Sequence, residues 1–196
     1  MKNKYVNRSK ISEAKFRELV RFFSIDLTAI QISELTGLNR NTVNRYLNEI
    51  RKKIAGYSEA TAPVTSARIS KDELTDTDEC LILIAEFDNK VYTAVAEREF
   101  VERNGSTVDA YDLIIDLGTG KHTFNSHSER QPIQSRKKRN RLESFWGYAK
   151  SRLTKFKGLH SSTFRFHLKE CEFRYNYRQD DIYQLLLKIL RKNPLF

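Results

Sequence analysis

The sequence predicts an α+β (mixed α/β) protein: a three-helix unit over 1–55, a linker and acidic segment over 56–79, and a mixed domain with a helical C-terminus over 80–196. Three observations carry this expectation. Apolar residues recur at helical spacing in three stretches between Ser12 and Ile50, two β-rich runs flank Asp88-Asn89, and helical periodicity returns from Glu143 onward. At 196 residues and 39% hydrophobic content, the chain is long and apolar enough to bury real cores.

The first helix is expected over 12–23, with Ser12 as N-cap, Glu13 in the first turn, and Phe16, Leu19, Val20 and Phe23 on one face. Leu27-Thr28 opens a second, whose apolar face is Ile32 and Leu35 and which Gly37 breaks. Asn39 starts a third, carrying Val43, Leu47 and Ile50. Small Ser33, turn residue Gly37 and apolar Val43 fall at the offsets of a helix-turn-helix, which needs close helix approach, a left-handed turn and a core anchor on its third helix.

Tyr57 to Ala67 lacks large apolar residues and reads as a linker. The cluster Asp72 to Glu79 has neither the glycine nor the ligand spacing of a calcium loop and reads as a solvated acidic face. Next come the two strands of a hairpin, Cys80 to Phe87 and Val91 to Val95, with Asp88-Asn89 as the turn. Tyr111 to Leu117 suits either a helix or a strand, ended by Gly118 to Gly120, and 121–129 suits a short strand leaving into a polar loop. His122 and His127 lack carboxylate support and read as structural.

From Glu143 the period is helical, with Leu142, Phe145, Trp146, Ala149 and Leu153 on a broad apolar face, interrupted by Gly158. Phe164, Phe166, Leu168, Phe173 and Tyr175 follow. Trp146, Phe164 and Phe166 could stack on unpaired bases, but their spacing favours core positions. Leu185 to Leu190 forms a last amphipathic helix, suited to packing on the core or to self-association.

Charge is divided unevenly. Residues 1–55 hold twelve Lys and Arg against five Asp and Glu (+7), 56–130 seven against fifteen (−8), and 131–196 sixteen against five (+11), for a total of +10. Basic blocks on a folded chain are the footprint expected for a polyphosphate partner, because neutralised phosphates release condensed counterions. The N-terminal Met1-Lys2-Asn3-Lys4 leads into polar sequence and no apolar run reaches membrane-spanning length, so the expectation is a cytoplasmic protein without a membrane partner. Cys80 and Cys171 have no Cys or His at zinc spacing and are expected to be buried free thiols.

Opposite its apolar face the third helix offers Arg40, Asn41, Thr42, Asn44, Arg45 and Asn48. Arg suits the edge of guanine and Asn the edge of adenine in bidentate geometry, so this face is expected to bind DNA. The competing reading is a three-helix bundle with a merely solvated face; against it, Glu and Lys would serve solubility better than three Asn, which are weak helix formers. Arg51, Lys52 and Lys53 are expected near phosphates at the end of that helix. Further phosphate contacts are expected from the run Arg136, Lys137, Lys138, Arg139 and Arg141, and from surface cations including Arg152, Lys155, Lys157 and Arg165.

Two runs are unlike generic helix: Leu142-Glu143-Ser144-Phe145-Trp146-Gly147-Tyr148-Ala149-Lys150-Ser151-Arg152-Leu153, and His167-Leu168-Lys169-Glu170-Cys171-Glu172-Phe173-Arg174-Tyr175-Asn176. With Asn89-Lys90-Val91-Tyr92-Thr93 on the hairpin, Ala110-Tyr111-Asp112, Asp116-Leu117-Gly118 and Asn125-Ser126-His127-Ser128-Glu129, they resemble the bacterial insertion-sequence transposases of the ISXO-like group. The resemblance covers most of the chain and is strongest over 138–178. It implies a ribonuclease-H-like catalytic domain behind a helix-turn-helix, magnesium or manganese as cofactor if active and none if inactive, and transposon terminal inverted repeats as the DNA partner. A homodimer or higher synaptic oligomer on that DNA is also implied. Asn140 and Glu143 match the third catalytic element, and Lys150 the lysine further along the same helix.

Two departures bear on catalysis. The group's first catalytic aspartate should fall in 59–65, where Pro63 stands in its place, and a gapless match puts Ser106 on the second, with Asp109 available only if the register shifts. In an active copy Glu143 and Asp109 would be metal ligands, with one of Asp72, Asp76 or Asp78 recruited. Two-metal strand transfer needs ions about 4 Å apart held by carboxylates, which proline and serine do not supply. The expectation is therefore DNA binding with impaired strand cleavage; the alternative is a non-enzymatic regulator or inhibitor of transposition.

Overall fold

The computed structural model of the chain describes residues 3–63, 80–103, 111–124, 132–154 and 161–196. It is a mixed α+β protein, and its residues gather into two compact units, Met1–Tyr57 with Tyr177–Phe196, and Ser58–Asn176. The expected partition put 80–196 in one domain; here 177–196 pack with the N-terminal helices instead.

In the first unit, α1 (Glu13–Ser24) is capped by the Ser12 hydroxyl, which accepts from Lys15 N–H, and buries Phe16, Leu19, Val20 and Phe23. α2 (Ala29–Thr36) opens on a reciprocal capping box between Thr28 and Gln31. It ends on Gly37 at φ 67, left-handed backbone that glycine adopts without a Cβ penalty. α3 (Arg40–Thr61) buries Val43, Leu47 and Ile50. Two expectations are corrected here. Ile32 is fully buried but Leu35 is 56% exposed, because an eight-residue helix turns only a narrow stripe inward. Residues 57–61, expected as linker, are the last turn of α3.

The closing helix of this unit packs against α1 and spans Ile182–Lys192. Asp181 caps it, and it buries Leu186, Leu187, Ile189 and Leu190. Packing on the helical core is thus the role taken by the amphipathic run 185–190. Beyond it, Leu195 forms a parallel bridge with Val6.

The second unit holds a four-stranded sheet of order β2-β1-β3-β4, antiparallel in every described ladder: β1 Cys80–Phe87, β2 Lys90–Glu97, β3 Leu113–Asp116 and β4 His122–Phe124. Asp88 and Asn89 close the β1–β2 hairpin at φ 49 and 62, the two left-handed residues that a two-residue loop needs to follow strand twist. α4 (Arg98–Arg103) follows β2, and two long helices follow β4: α5 (Pro132–Leu153) and α6 (Ser161–Asn176), with the Ile182–Lys192 helix then α7. Of the two expectations for 111–117, the strand is the one formed.

Strand alternation sends Ile82, Ile84, Val95, Leu113 and Ile115 to one face, where they meet Leu142, Phe145 and Ala149 of α5 and Phe164, Leu168 and Tyr175 of α6. Leu81, Leu83, Ala94, Ala96 and Tyr111 form a second cluster on the other face. β1 is buried on both sides, which is why its sequence reads as a continuous apolar run. Cys80 and Cys171 are buried thiols outside any disulfide, as expected.

Candidate nucleic-acid interface

Asn39 accepts from Asn41 N–H and so starts α3 with a side-chain cap. With Val43, Tyr46, Leu47 and Ile50 turned inward, Arg40, Asn41, Arg45 and Asn48 are exposed and Thr42 and Asn44 half-buried. The six residues singled out on this helix thus share its solvent side. The loop before it is held by Ser33, whose hydroxyl donates to the Leu38 carbonyl at 2.6 Å, and by Gly37 N–H donating to Ser33 O at 2.9 Å.

The face is supported in ways the linear sequence did not reveal. The Arg45 guanidinium lies 4.9 Å from the Phe196 ring centroid and 5.5 Å from that of Tyr46, and the two rings meet edge-on at 5.8 Å. Asn48 Oδ1 accepts from Arg51. Arg51 itself, expected near phosphates, is 7% exposed and lies over the Phe23 ring, so it is a core-rim residue; with α3 running on to Thr61, it is not at the helix end either. Lys52 is exposed and paired with Glu49.

The fold also redistributes the charge. The first unit carries sixteen Lys and Arg against seven Asp and Glu, a net +9, and the second nineteen against eighteen, a net +1. The acidic middle and much of the C-terminal basic block share the second unit and meet in ion pairs, Lys138 with Asp112 at 2.7 Å and Arg141 with Glu86 at 2.6 Å, while Arg98 pairs with Asp116 at 2.9 Å inside the middle segment.

On α5, Arg136, Lys137, Arg139 and Asn140 are exposed while Lys138 and Arg141 are committed to the carboxylates just named. Arg139 stacks 4.3 Å over Phe124 and pairs with Glu143 at 3.3 Å. Asn140, Glu143 and Lys150 are exposed on this helix at spacings of three and seven residues, so they share one face. Asp109, Lys155, Lys157, His127 and the acidic positions 72, 76 and 78 lie outside the described residues. His122 is exposed, edge-on to Phe124.

Whether this donor set fits divalent metal can be read from its chemistry. Among the described residues no three His, Cys, Asp or Glu side chains come close enough to hold an ion. Glu143, the carboxylate expected to be a ligand, faces a guanidinium, and Pro63 offers no donor where the first aspartate was expected. The described residues do not fit a two-metal centre.

Arg152 is corrected from surface cation to core residue. It is 6% exposed and donates to Glu170 at 3.0 Å, and Arg174 donates to the same oxygen at 2.7 Å. Arg165 is half-buried over Phe166. Phe164 is buried and Trp146 packs partly buried on the same core, the role their helical spacing favoured.

The hairpin motif Asn89-Lys90-Val91-Tyr92-Thr93 and the run from His167 to Asn176 meet. Glu172 Oε2 accepts from Thr93 N–H at 2.8 Å, from the Thr93 hydroxyl at 2.7 Å and from Lys169 at 2.8 Å. One helical turn on, Asn176 bonds both backbone groups of Val91. Among the described residues β2 is an edge strand, and α6 thereby pairs the backbone N–H and C=O of Val91 and the N–H of Thr93 along that edge.

No described helix is long and apolar enough to cross a membrane. The chain is 33% identical over 89 residues to an uncharacterized transposase-like protein of Haemophilus influenzae (strain ATCC 51907 / DSM 11121 / KW20 / Rd), an alignment covering 45% of this chain and 71% of that protein. No family model matches the chain, and no solved structure matches it.

Proposed function

The chain belongs to a family of transposase-like proteins, and we propose on that premise that it is a transposase-derived DNA-binding protein whose strand-cleavage chemistry is impaired. α1 to α3 act as a helix-turn-helix with α3 in the major groove, where Arg40, Asn41, Asn44, Arg45 and Asn48 read base edges or grip phosphates. The observation that carries this reading is their common solvent face over a closed core, in the unit that holds +9 of the net charge. Binding neutralises phosphates and releases counterions, so affinity falls with salt.

We read the second unit as the remnant of the ribonuclease-H-like domain of an ISXO-like transposase. Support comes from the contact between the Val91-Tyr92-Thr93 and Glu172 to Asn176 motifs, which makes both parts of one structural device. The non-enzymatic form of the reading, a regulator or inhibitor occupying transposon ends, is favoured by the ion pairs of Lys138, Arg98, Arg141 and Arg139, which set protein cations against Asp112, Asp116, Glu86 and Glu143. Exposed Arg136 and Lys137 add phosphate contacts, and a homodimer or higher oligomer would hold two ends in the bacterial cytoplasm.

The test offers the full chain a random-sequence duplex library with magnesium or manganese, scoring enrichment and strand cleavage together. The expected result is an enriched duplex, bound about tenfold or more weakly by Asn44→Ala or Arg45→Ala, since a good base contact is worth about 1–3 kcal/mol. No cleavage is expected. Failure to enrich any duplex would sink the DNA-binding reading; cleavage abolished by Glu143→Gln would sink the impaired-catalysis reading.

A further inference from the structure

We propose that Phe196 is a positioning residue for Arg45, fixing the guanidinium on the solvent face of α3 before DNA arrives. The inference rests on the reading of α3 as the DNA-contacting helix and deepens it.

The geometry forms a chain of contacts outward from the core. Phe16 is fully buried and meets Tyr46 edge-on at 5.7 Å; Tyr46, 1% exposed, meets Phe196 at 5.8 Å; Phe196 stacks on Arg45 at 4.9 Å. Phe196 is half-exposed, yet its backbone is pinned. Asn7 N–H donates to the Leu195 carbonyl at 2.9 Å, Leu195 N–H to the Tyr5 carbonyl at 2.8 Å, and the Asn7 side-chain amide to the Phe196 carbonyl at 2.8 Å.

A guanidinium centred over an aromatic ring is held through its charge and the ring quadrupole, a contact that needs no polar acceptor for its N–H donors. The stack therefore orients Arg45 without spending the donors that a guanine edge or a phosphate requires. A free arginine surrenders rotamer freedom when it binds, and one already stacked surrenders less. The reading helix thus depends on a residue 151 positions away in sequence.

The test uses the full chain and the duplex enriched by the wild type. Phe196→Ala should weaken binding about three- to tenfold, Phe196→Tyr should restore it, and in an Arg45→Ala background Phe196→Ala should add nothing. An unchanged affinity in Phe196→Ala, when Arg45→Ala does weaken binding, would overturn the proposal. So would an undiminished effect in the Arg45→Ala background, which would mean that Phe196 acts through general stability. The stack is checked without DNA by the Arg45 side-chain proton resonances, expected upfield under the ring current and displaced in Phe196→Ala. Should the wild type enrich no duplex, the DNA-binding reading fails and the positioning role with it, while these resonances still report the stack.

Discussion

Asn176 on α6 spans the free edge of β2 at Val91: its Oδ1 accepts from Val91 N–H at 2.8 Å and its Nδ2 donates to Val91 O at 2.7 Å. An amide side chain here does what a neighbouring strand would do, with one donor and one acceptor in the right order. Neither aspartate nor leucine can do both. Asn176→Leu should cost about 1–3 kcal/mol through two stranded backbone groups, with Asn176→Asp comparably harmful because a carboxylate would face a carbonyl. Urea midpoints that match the wild type would refute the clamp.

The buried Arg152, Glu170 and Arg174 make a triad in which one carboxylate oxygen serves two guanidinium groups. Removing the acid takes away the buried oxygen that both guanidinium groups share. Glu170→Ala is expected to destabilise the protein by about 3–5 kcal/mol, whereas replacing all three residues by apolar ones of similar volume should cost far less. Equilibrium denaturation of both variants decides it: a mild Glu170→Ala would mean water reaches the site.

Asp116 stands at the β3–β4 turn, where Thr119 N–H and the Arg98 guanidinium both bond its carboxylate and hold its pKa below the usual aspartate value. A depressed folded value contributes stability above the unfolded pKa of about 3.9 and loses it as pH falls below that, through the folded pKa. Wild type and Asp116→Asn should therefore converge in stability under acid and separate near neutrality. Curves that stay parallel across that window would remove Asp116 from the acid transition.

Burial pushes the Cys171 thiol up to about 11, so the reactive thiolate is scarce at neutral pH. A maleimide added to native protein at pH 7 should leave Cys171 unmodified, and label it promptly once denaturant has unfolded the chain. Mass spectrometry of the native sample reads the result; rapid native labelling would mean that α6 opens locally.

Gly37 meets nothing within 4 Å where a Cβ would be, so its requirement is conformational alone. Gly37→Ala should cost about 1 kcal/mol, with Gly37→Asn milder because asparagine tolerates left-handed backbone. Thermal unfolding checks it, and an alanine variant as stable as the wild type would mean that the α2–α3 turn has another form.

What the sequence by itself determined is what short-range chemistry decides. Ser12 caps α1, Thr28 and Gln31 cap α2, Gly37 ends it, and Asp88-Asn89 turn the hairpin, each within five residues of the atoms concerned. Spacing alone also named the solvent face of α3, since Val43, Leu47 and Ile50 leave Arg40, Asn41, Arg45 and Asn48 nowhere to point but outward. Tertiary structure decided the rest. Arg51 and Arg152 looked like surface cations because charge predicts exposure until a partner such as Phe23 or Glu170 is brought near by another helix. Leu35 looked like core because an apolar residue at helical spacing is inward only where something packs on it. The docking of 177–196 on 1–57, and with it the Phe196–Arg45 stack, joins residues with no local signal for each other, and long-range contacts of that kind arise from packing complementarity that a one-dimensional pattern does not encode.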